Sequence, residues 1–444
     1  MGMFTHKKRN FTSFQIIIFG FSGVILLGTF LLMLPFSRQE GIPAPFLDAL
    51  FTSTSAVCVT GLVLHDTASY WSSFGHLILM LLIQIGGMGV ITVAASFSMI
   101  SGRKISLMQR STMQEAISAP KVGGIVRLTN FIVKITLLIE LSGAVALAPV
   151  FCRDFGVKGL WFALFHSVSA FCNAGFDLMG TKGAFSSLTV YAAEPTVNLT
   201  IMLLIMVGGI GFLTWDDIRA NKLHLHRYRM QSKVILCTTL FLLIIPAIYF
   251  FFYEFAALAP AERILASLFQ SVTPRTAGFN TIDLTSMKET GQYIIILLML
   301  IGGSPGSTAG GMKTTTIAVL SATAISTFCR KEHTHFFGRR IDDAVVKNAS
   351  TILLMYLVLF FFGALVISRT EGLPMLTCLF ETASAVGTVG LTLGITPSLG
   401  TASRIILILL MFFGRVGGLT LIFAALSGSK KEITKFPLDK ITVG

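Results

Sequence analysis

Charge is scarce in this chain: 12% of its 444 residues are Asp, Glu, Lys or Arg, against 53% hydrophobic, and the mean hydropathy is +0.79. A water-soluble domain carries about 25% charged residues, so a soluble fold is excluded and a polytopic membrane protein is indicated. Cysteine is sparse and scattered. Cys58, Cys152, Cys172, Cys237, Cys329 and Cys378 contain no C-x-x-C pair, which leaves neither a disulfide framework nor a zinc site. No nucleophile with a base, paired aspartates or H-E-x-x-H motif recurs in the apolar runs, so an intramembrane enzyme lacks its machinery. The glycine clusters sit inside apolar runs rather than after a strand, which removes a Rossmann nucleotide site; no bound cofactor is expected, and nucleotide control has to come from another chain. Acidic residues are outnumbered, 21 to 34, for a formal net charge of +13. The basic residues lie in short loops between apolar runs, where the positive-inside rule accounts for them without a nucleic-acid partner.

Apolar runs are plentiful. They predict spans at about 13–35, 76–100, 128–151, 198–215, 233–253, 292–326, 350–368 and 403–427. The run behind the basic start is of spanning length and no small-residue cleavage site follows, so it reads as a retained first helix. Between the members of each pair of spans stands one copy of a shorter, hydroxyl-rich motif: "LFTSTSAVCVTGL", "LFHSVSAFCNAGF", "LFQSVTPRTAGF" and "LFETASAVGTVGL". Each is too short and too polar to cross, and dips in only if protein surrounds it. The second span of each pair carries its own glycine cluster, "IGGMG" (85–89), "VGGIG" (207–211), "IGGSPG" (301–306) and "FGRVGG" (413–418).

The expected fold is therefore an all-α polytopic membrane protein with four parallel helix, re-entrant pore loop, helix repeats around one pseudo-fourfold ion pore. Repeat 1 covers 13–100, repeat 2 126–215, repeat 3 232–328 with a broken inner helix, and repeat 4 347–427; 428–444 is a cytoplasmic C-terminal tail. Lys and Arg number 22 on the side of the termini and inter-repeat loops and 9 on the side of the re-entrant loops, which predicts cytoplasmic termini in the cell membrane. The basic loops with Arg103, Lys104, Arg110, Arg227 and Arg229 also offer docking charge to an acidic soluble partner.

A dehydrated cation needs oxygen ligands, and backbone carbonyls supply them where unusual dihedrals turn successive oxygens inward, which glycine permits. The candidate filter residues are Val59, Thr60, Gly61; Asn173, Ala174, Gly175; Thr276, Ala277, Gly278; and Thr388, Val389, Gly390. No side chain is common to all four sets, as suits backbone-based selection. The hydroxyls before them can bond backbone groups and hold the loops.

The four one-glycine loops, "SVTPRTAGFN" in the third, "GTVGLT" in the fourth and "GGSPGSTAGGMK" in the third inner span resemble the ion-translocating subunit of the Trk/Ktr/HKT superfamily of potassium transporters, over about 13–427. Eight spans without an extra N-terminal pair look more like the Ktr branch. The resemblance implies sodium-dependent potassium uptake, with K+ as transported ion and Na+ as coupling or activating ion. It also implies a homodimer and a cytosolic ring of nucleotide-binding, KtrA-like regulatory subunits. Sodium-selective plant relatives commonly carry serine at the first filter glycine; Gly61 stands there here.

The third inner segment is too long for one crossing and holds five glycines and a proline between Gly302 and Gly311, so it has to bend or break. The gate candidates are Gly302, Gly303, Ser304, Pro305, Gly306, Ser307, Thr308, Ala309, Gly310 and Gly311, the intramembrane loop that the resemblance also implies, with Lys313 and Arg415 as positive charge that helps close the path. Lys313 snorkelling to the cytoplasm and Arg415 in a structural ion pair are the plainer readings. Glu140 and Lys134 are expected to find structural partners elsewhere, and Asp216-Asp217 to form a solvated helix end. Two other functions stay open: a weakly selective or sodium-permeable cation transporter, and an organic-solute carrier, although carriers rock two-fold repeats about a central site.

Overall fold

The computed structural model describes residues 12–101, 105–117, 119, 121–418 and 420. Arg103, Lys104 and the 428–444 tail lie outside the described residues. A first group of helices comprises α1 (Ser13–Leu32), α2 (Phe46–Val57), α3 (Thr67–Tyr70), α4 (Ser73–Met88) and α5 (Val90–Ile100), and the linker helix α6 (Leu107–Ile117) follows. The second group is α7 (Ile125–Phe155), α8 (Lys158–Phe171), α9 (Pro195–Gly209) and α10 (Phe212–Asn221). The third is α11 (Met230–Tyr249), α12 (Pro260–Val272), α13 (Glu289–Ile301) and α14 (Thr314–Phe328), and the fourth α15 (Asp343–Glu371), α16 (Met375–Gly387) and α17 (Thr401–Val416). One local exception to the all-α expectation stands between the last two groups. There β1 (His335–Phe336) and β2 (Arg339–Arg340) form an antiparallel hairpin.

Each group opens with a helix long and apolar enough to cross a bilayer: Ser13–Leu32, Ile125–Phe155, Met230–Glu254 and Asp343–Glu371. The next helix of each group, α2, α8, α12 or α16, has 12 to 14 residues. At 1.5 Å per residue that is about 20 Å, too short to cross, and these helices lie inside protein.

The inner helices depart from the expected straight spans 76–100 and 198–215. The chain turns by 95° between α4 and α5 and by 96° between α9 and α10. The turns fall at Gly89 (φ 86, ψ 131) and Gly211 (φ 92, ψ 142), a left-side backbone region that a side chain rarely enters. α17 ends the same way at Gly417 (φ 87, ψ 132), and α13 stops at Gly302 (φ 62). Breaks are thus not confined to the third inner segment: α4, α9 and α17 also stop within their glycine clusters, while α13 stops where its cluster begins.

The groups close into a ring. Each short helix packs on the long helix before it, and each inner helix packs on the next group's short helix: α4 on α8, α9 on α12, α13 on α16, and α17 back on α2. The last contact is reinforced by Arg404, whose Nη1 lies 3.0 Å from Asp48 Oδ1. Within each of three groups, glycine lets the inner helix press on its own short helix as well. A Cβ at Gly86, Gly208 or Gly414 would collide with the carbonyl oxygen of Val57, Phe171 or Val386 at the end of a short helix.

Hydroxyls tie the short helices outward as well. Ser53 donates to Ile25 O (2.7 Å), Ser167 to Glu140 O (2.6 Å) and Ser271 to Leu243 O (2.5 Å). Facing Ser271 is Pro246, which has no N–H and so leaves the Leu242 carbonyl without its helical donor; Ser271 reaches that oxygen too, at 3.4 Å. These bonds let the "FTS" and "FHS" runs be polar while buried.

Gly208→Val is expected to destabilise the fold by about 1–3 kcal/mol, because overpacking drives α9 off α8. Gly209→Ala, whose Cβ would meet its nearest neighbour at 3.6 Å, is expected to be tolerated. Thermal unfolding in detergent checks the pair; equal midpoints for both variants would refute the packing argument.

Candidate functional site

The backbone after each short helix is the same unusual one. Val59, Asn173, Thr276 and Thr388 have φ of 51, 57, 68 and 52, and the glycines two residues on, Gly61, Gly175, Gly278 and Gly390, have φ of 89, 68, 81 and 94. Left-handed residues therefore alternate with ordinary ones, and this alternation lets successive carbonyls face the same way. Four non-glycine residues in this region cost energy, so the surroundings have to hold them there.

The four glycines face one another in order. A Cβ built on Gly61 would lie 3.1 Å from Gly175 Cα, one on Gly175 3.0 Å from Gly278 Cα, one on Gly278 3.2 Å from the Val389 carbonyl carbon, and one on Gly390 2.9 Å from Gly61 Cα. The circuit closes on its first member, with no room for a side chain at any step. The four predicted glycines thus come together in one ring, each against the carbonyl of the residue before the next glycine, that of Ala174, Ala277, Val389 or Thr60.

The hold is supplied by one hydroxyl per group at the same offset from the Leu-Phe start. Ser55 Oγ accepts from Gly61 N (3.1 Å) and Ser384 Oγ from Gly390 N (3.0 Å). Ser169 donates to Phe176 O and Thr273 to Phe279 O, both at 2.7 Å. Beyond the ring, the residue that follows Leu-Phe in the second and fourth motifs does similar work. His166 Nε2 accepts from Leu178 N (3.3 Å), and the Glu381 carboxylate accepts from Thr392 (2.8 Å) and Thr396. Sequence reasoning passed over these two because their counterparts, Thr52 and Gln270, share no chemistry with them.

A hollow of about 70 Å3 opens above the ring, lined by its four glycines and by Asp66 and Asp177. Below it lies the segment Gly302 to Gly311, non-helical and lodged between the second and fourth groups and against the linker helix α6. Ser304 N and Thr308 N donate to the Gly209 and Gly208 carbonyls (3.0 and 3.2 Å), Gly311 N to Gly414 O (3.0 Å), and Phe212 N to Gly306 O (2.7 Å). The Gly208, Gly209 and Gly414 carbonyls are among those that a helix ending there leaves unpaired. The glycine breaks and the loop therefore complete each other. Thr308 Oγ1 reaches up to Phe171 O (3.0 Å) and Asn173 Oδ1 (3.3 Å), directly below the ring.

Both basic gate candidates bind carbonyls. Lys313 Nζ donates to Ala309 O (3.0 Å) and Gly310 O (3.1 Å), stitching the loop rather than snorkelling. Arg415 donates to Thr308 O on one side and to Gly86 O and Gly87 O (3.2 Å) on the other. It makes no ion pair among the described residues. A hollow of about 300 Å3, lined by Gly306, Lys313 and Arg415 among others, lies under the loop.

Other expectations fare variously. Glu140 is buried and accepts from Gln84 Nε2 (3.1 Å), next to Cys172 Sγ at 3.8 Å. Lys134 is exposed on α7 and has no ion pair among the described residues. The solvated end expected at Asp216-Asp217 is corrected: Asp217 is 3% exposed, accepts from Arg229 N and Ser232 Oγ, and both aspartates pair with Arg229. Only the tertiary fold brings Arg229 back to them.

A helical membrane protein with four re-entrant segments ringed about an axis, a hollow above and a plugged hollow below, is built as a transporter of cations, not as an enzyme. The chain belongs to the TrkH family of cation transport proteins, which matches residues 4–433. It is 40% identical to the potassium/sodium uptake protein NtpJ of Enterococcus hirae, over 98% of each chain. It is 39% identical to the Ktr system potassium uptake protein B of Bacillus subtilis, over 99% of this chain and 98% of that one. The crystal structure of the potassium transporter TrkH from Vibrio parahaemolyticus shares the fold, with a TM-score of 0.74 at 20% identity over 95% of this chain and 86% of the other.

Ser55→Ala and Ser384→Ala each leave a buried glycine N–H without its partner, at a cost of about 1–3 kcal/mol. Cation flux in proteoliposomes is expected to persist while its potassium-to-sodium ratio falls, most in the double variant. Unchanged ratios would mean that the hydroxyls do not shape the ring.

Proposed function

We propose that the chain is the ion-conducting subunit of a Ktr-type system that takes up potassium across the cell membrane. The observation that carries the reading is the closed circuit of four left-handed glycines. A ring of backbone with no common side chain suits selection by carbonyls, which replace the water of a dehydrated potassium ion. Gly61 at the first position speaks for potassium, and the relatives' names, potassium/sodium uptake and Ktr system potassium uptake, point the same way. Sodium enters as coupling or activating ion. The protein works as a homodimer beneath a cytosolic ring of nucleotide-binding regulators, with both termini cytoplasmic.

A second reading, weak selectivity among monovalent cations, is favoured by one detail. The ring hydroxyls Thr60 Oγ1 and Thr388 Oγ1 are buried without a hydrogen-bond partner, which leaves oxygens that a smaller ion could recruit. Rubidium and sodium fluxes into liposomes holding the purified protein separate the two. Potassium-selective flux supports the first reading, equal permeation the second, and no cation flux at all defeats both.

Gly61→Ser is expected to lower the potassium-to-sodium flux ratio, since its side chain would press on the Ala174 carbonyl and disturb the ring. An unchanged ratio in a well-expressed variant would remove Gly61 from the filter.

The segment Gly302 to Gly311 is the gate in this proposal. Each of its glycines costs a helix up to about 1 kcal/mol relative to alanine, so only its tertiary hydrogen bonds order it, and a second arrangement is accessible. Arg415 latches it by joining Thr308 O to the end of α4. Arg415→Gln, and deletion within Ser304 to Ala309, are expected to raise flux severalfold and to loosen its dependence on the regulator, with ion preference kept. Wild-type regulated flux in both variants would place the gate elsewhere.

A further inference from the structure

We infer that the hollow between the start of α7 and α10 binds the phosphate headgroup of an anionic phospholipid of the cytoplasmic leaflet. The hollow has a volume of about 410 Å3 and is lined by Lys121, Arg127 and Arg219. All three are exposed, and among the described residues none makes an ion pair. A fourth basic side chain there, Arg229, is already engaged by Asp216 (2.9 Å) and Asp217 (3.3 Å), and Asp216 is the hollow's acidic member.

The helix adds to this positive charge instead of relieving it. α7 runs for 31 residues from this point, its N-cap Gly124 offers no side chain, and its first turn holds no acidic residue. Arg127 stands in that turn, where a cation opposes the helix dipole and an anion would be favoured. Space is available as well: a Cβ at Gly123 or Gly124 would meet nothing within 4 Å.

The floor of the hollow decides the ligand class. Leu128, Phe131 and Leu213 line it beneath the basic rim, and the Arg219 guanidinium carbon lies 4.7 Å from the centroid of the Phe131 ring. Further along α7, past the exposed Lys134, Leu137, Leu138 and Leu141 are exposed, so the surface turns apolar in the direction that acyl chains take. Positive charge above an apolar floor, at the end of a membrane-crossing helix, fits an amphiphile. Inorganic phosphate, or an acidic soluble protein, would use the rim and leave the floor unfilled. Basic hollows between membrane helices on the cytoplasmic side are where anionic headgroups collect.

Native mass spectrometry of the full-length protein in detergent, titrated with dioleoyl phosphatidylglycerol and dioleoyl phosphatidylcholine, tests the site. The wild type is expected to retain phosphatidylglycerol at least about tenfold more tightly than phosphatidylcholine. Arg127→Gln with Arg219→Gln should abolish that preference at one lipid per chain, while Arg219→Lys keeps most of it and size-exclusion profiles stay those of the wild type. Equal phosphatidylglycerol retention by wild type and double variant would overturn the assignment. So would displacement of the lipid by millimolar inorganic phosphate, which would make the ligand a free anion. Unchanged lipid binding with loss of a soluble acidic partner would overturn it too, and give the hollow to protein docking.

Discussion

Backbone that is not helical, placed at membrane depth, must find every hydrogen-bond partner inside the protein, and the centre of this molecule is arranged around that requirement. The axial ring alternates left-handed and ordinary residues in four segments, a form with no ladder of its own. It stands because Ser55, Ser169, Thr273 and Ser384 hold the four segments from behind. Those hydroxyls are fixed in turn by short helices that could not exist in lipid, being too short to span and too polar to face it.

The same requirement links the broken helices to the loop under the ring. An inner helix that stops at Gly89, Gly211 or Gly417 leaves carbonyls pointing into the centre without donors. Ser304, Thr308 and Gly311 supply amides to the second and third of these ends, and Arg415 supplies a guanidinium to the first. A cation deep in an apolar run is expensive unless it is paired, and here several carbonyls take the place of a carboxylate. Arg415 therefore joins the fourth group, the loop and the first group in one network. Any movement of the loop would have to exchange those bonds together.

The outer parts follow a simpler rule. The long helices turn Phe, Leu and Ile outward, and a carboxylate buried on one of them has its partner inside the protein, as Glu140 has Gln84. Where α7 begins the pattern reverses: Arg229 is consumed by Asp216 and Asp217, while Lys121, Arg127 and Arg219 are exposed and make no ion pair among the described residues.

The residues by themselves determined the membrane class, the fourfold repetition and the membership of the ring. Each rests on a local signal: long apolar runs, a recurring Leu-Phe start, a single glycine where the backbone must turn left-handed. The irregular segment from Gly302 to Gly311 was legible for the same reason, since so many glycines cannot hold a helix. Tertiary structure alone decided the rest. The 95° turn after Met88 rests on one glycine whose dihedrals no periodicity reports. Sequence spacing suggested an ion pair for Arg415 and a solvated end for Asp217, yet their partners lie 107 and 329 residues away in one case and beyond a reversal of the chain in the other. Long-range hydrogen bonds leave no trace in local pattern, because any neighbour with a free carbonyl or donor serves equally well; which one arrives is settled by packing.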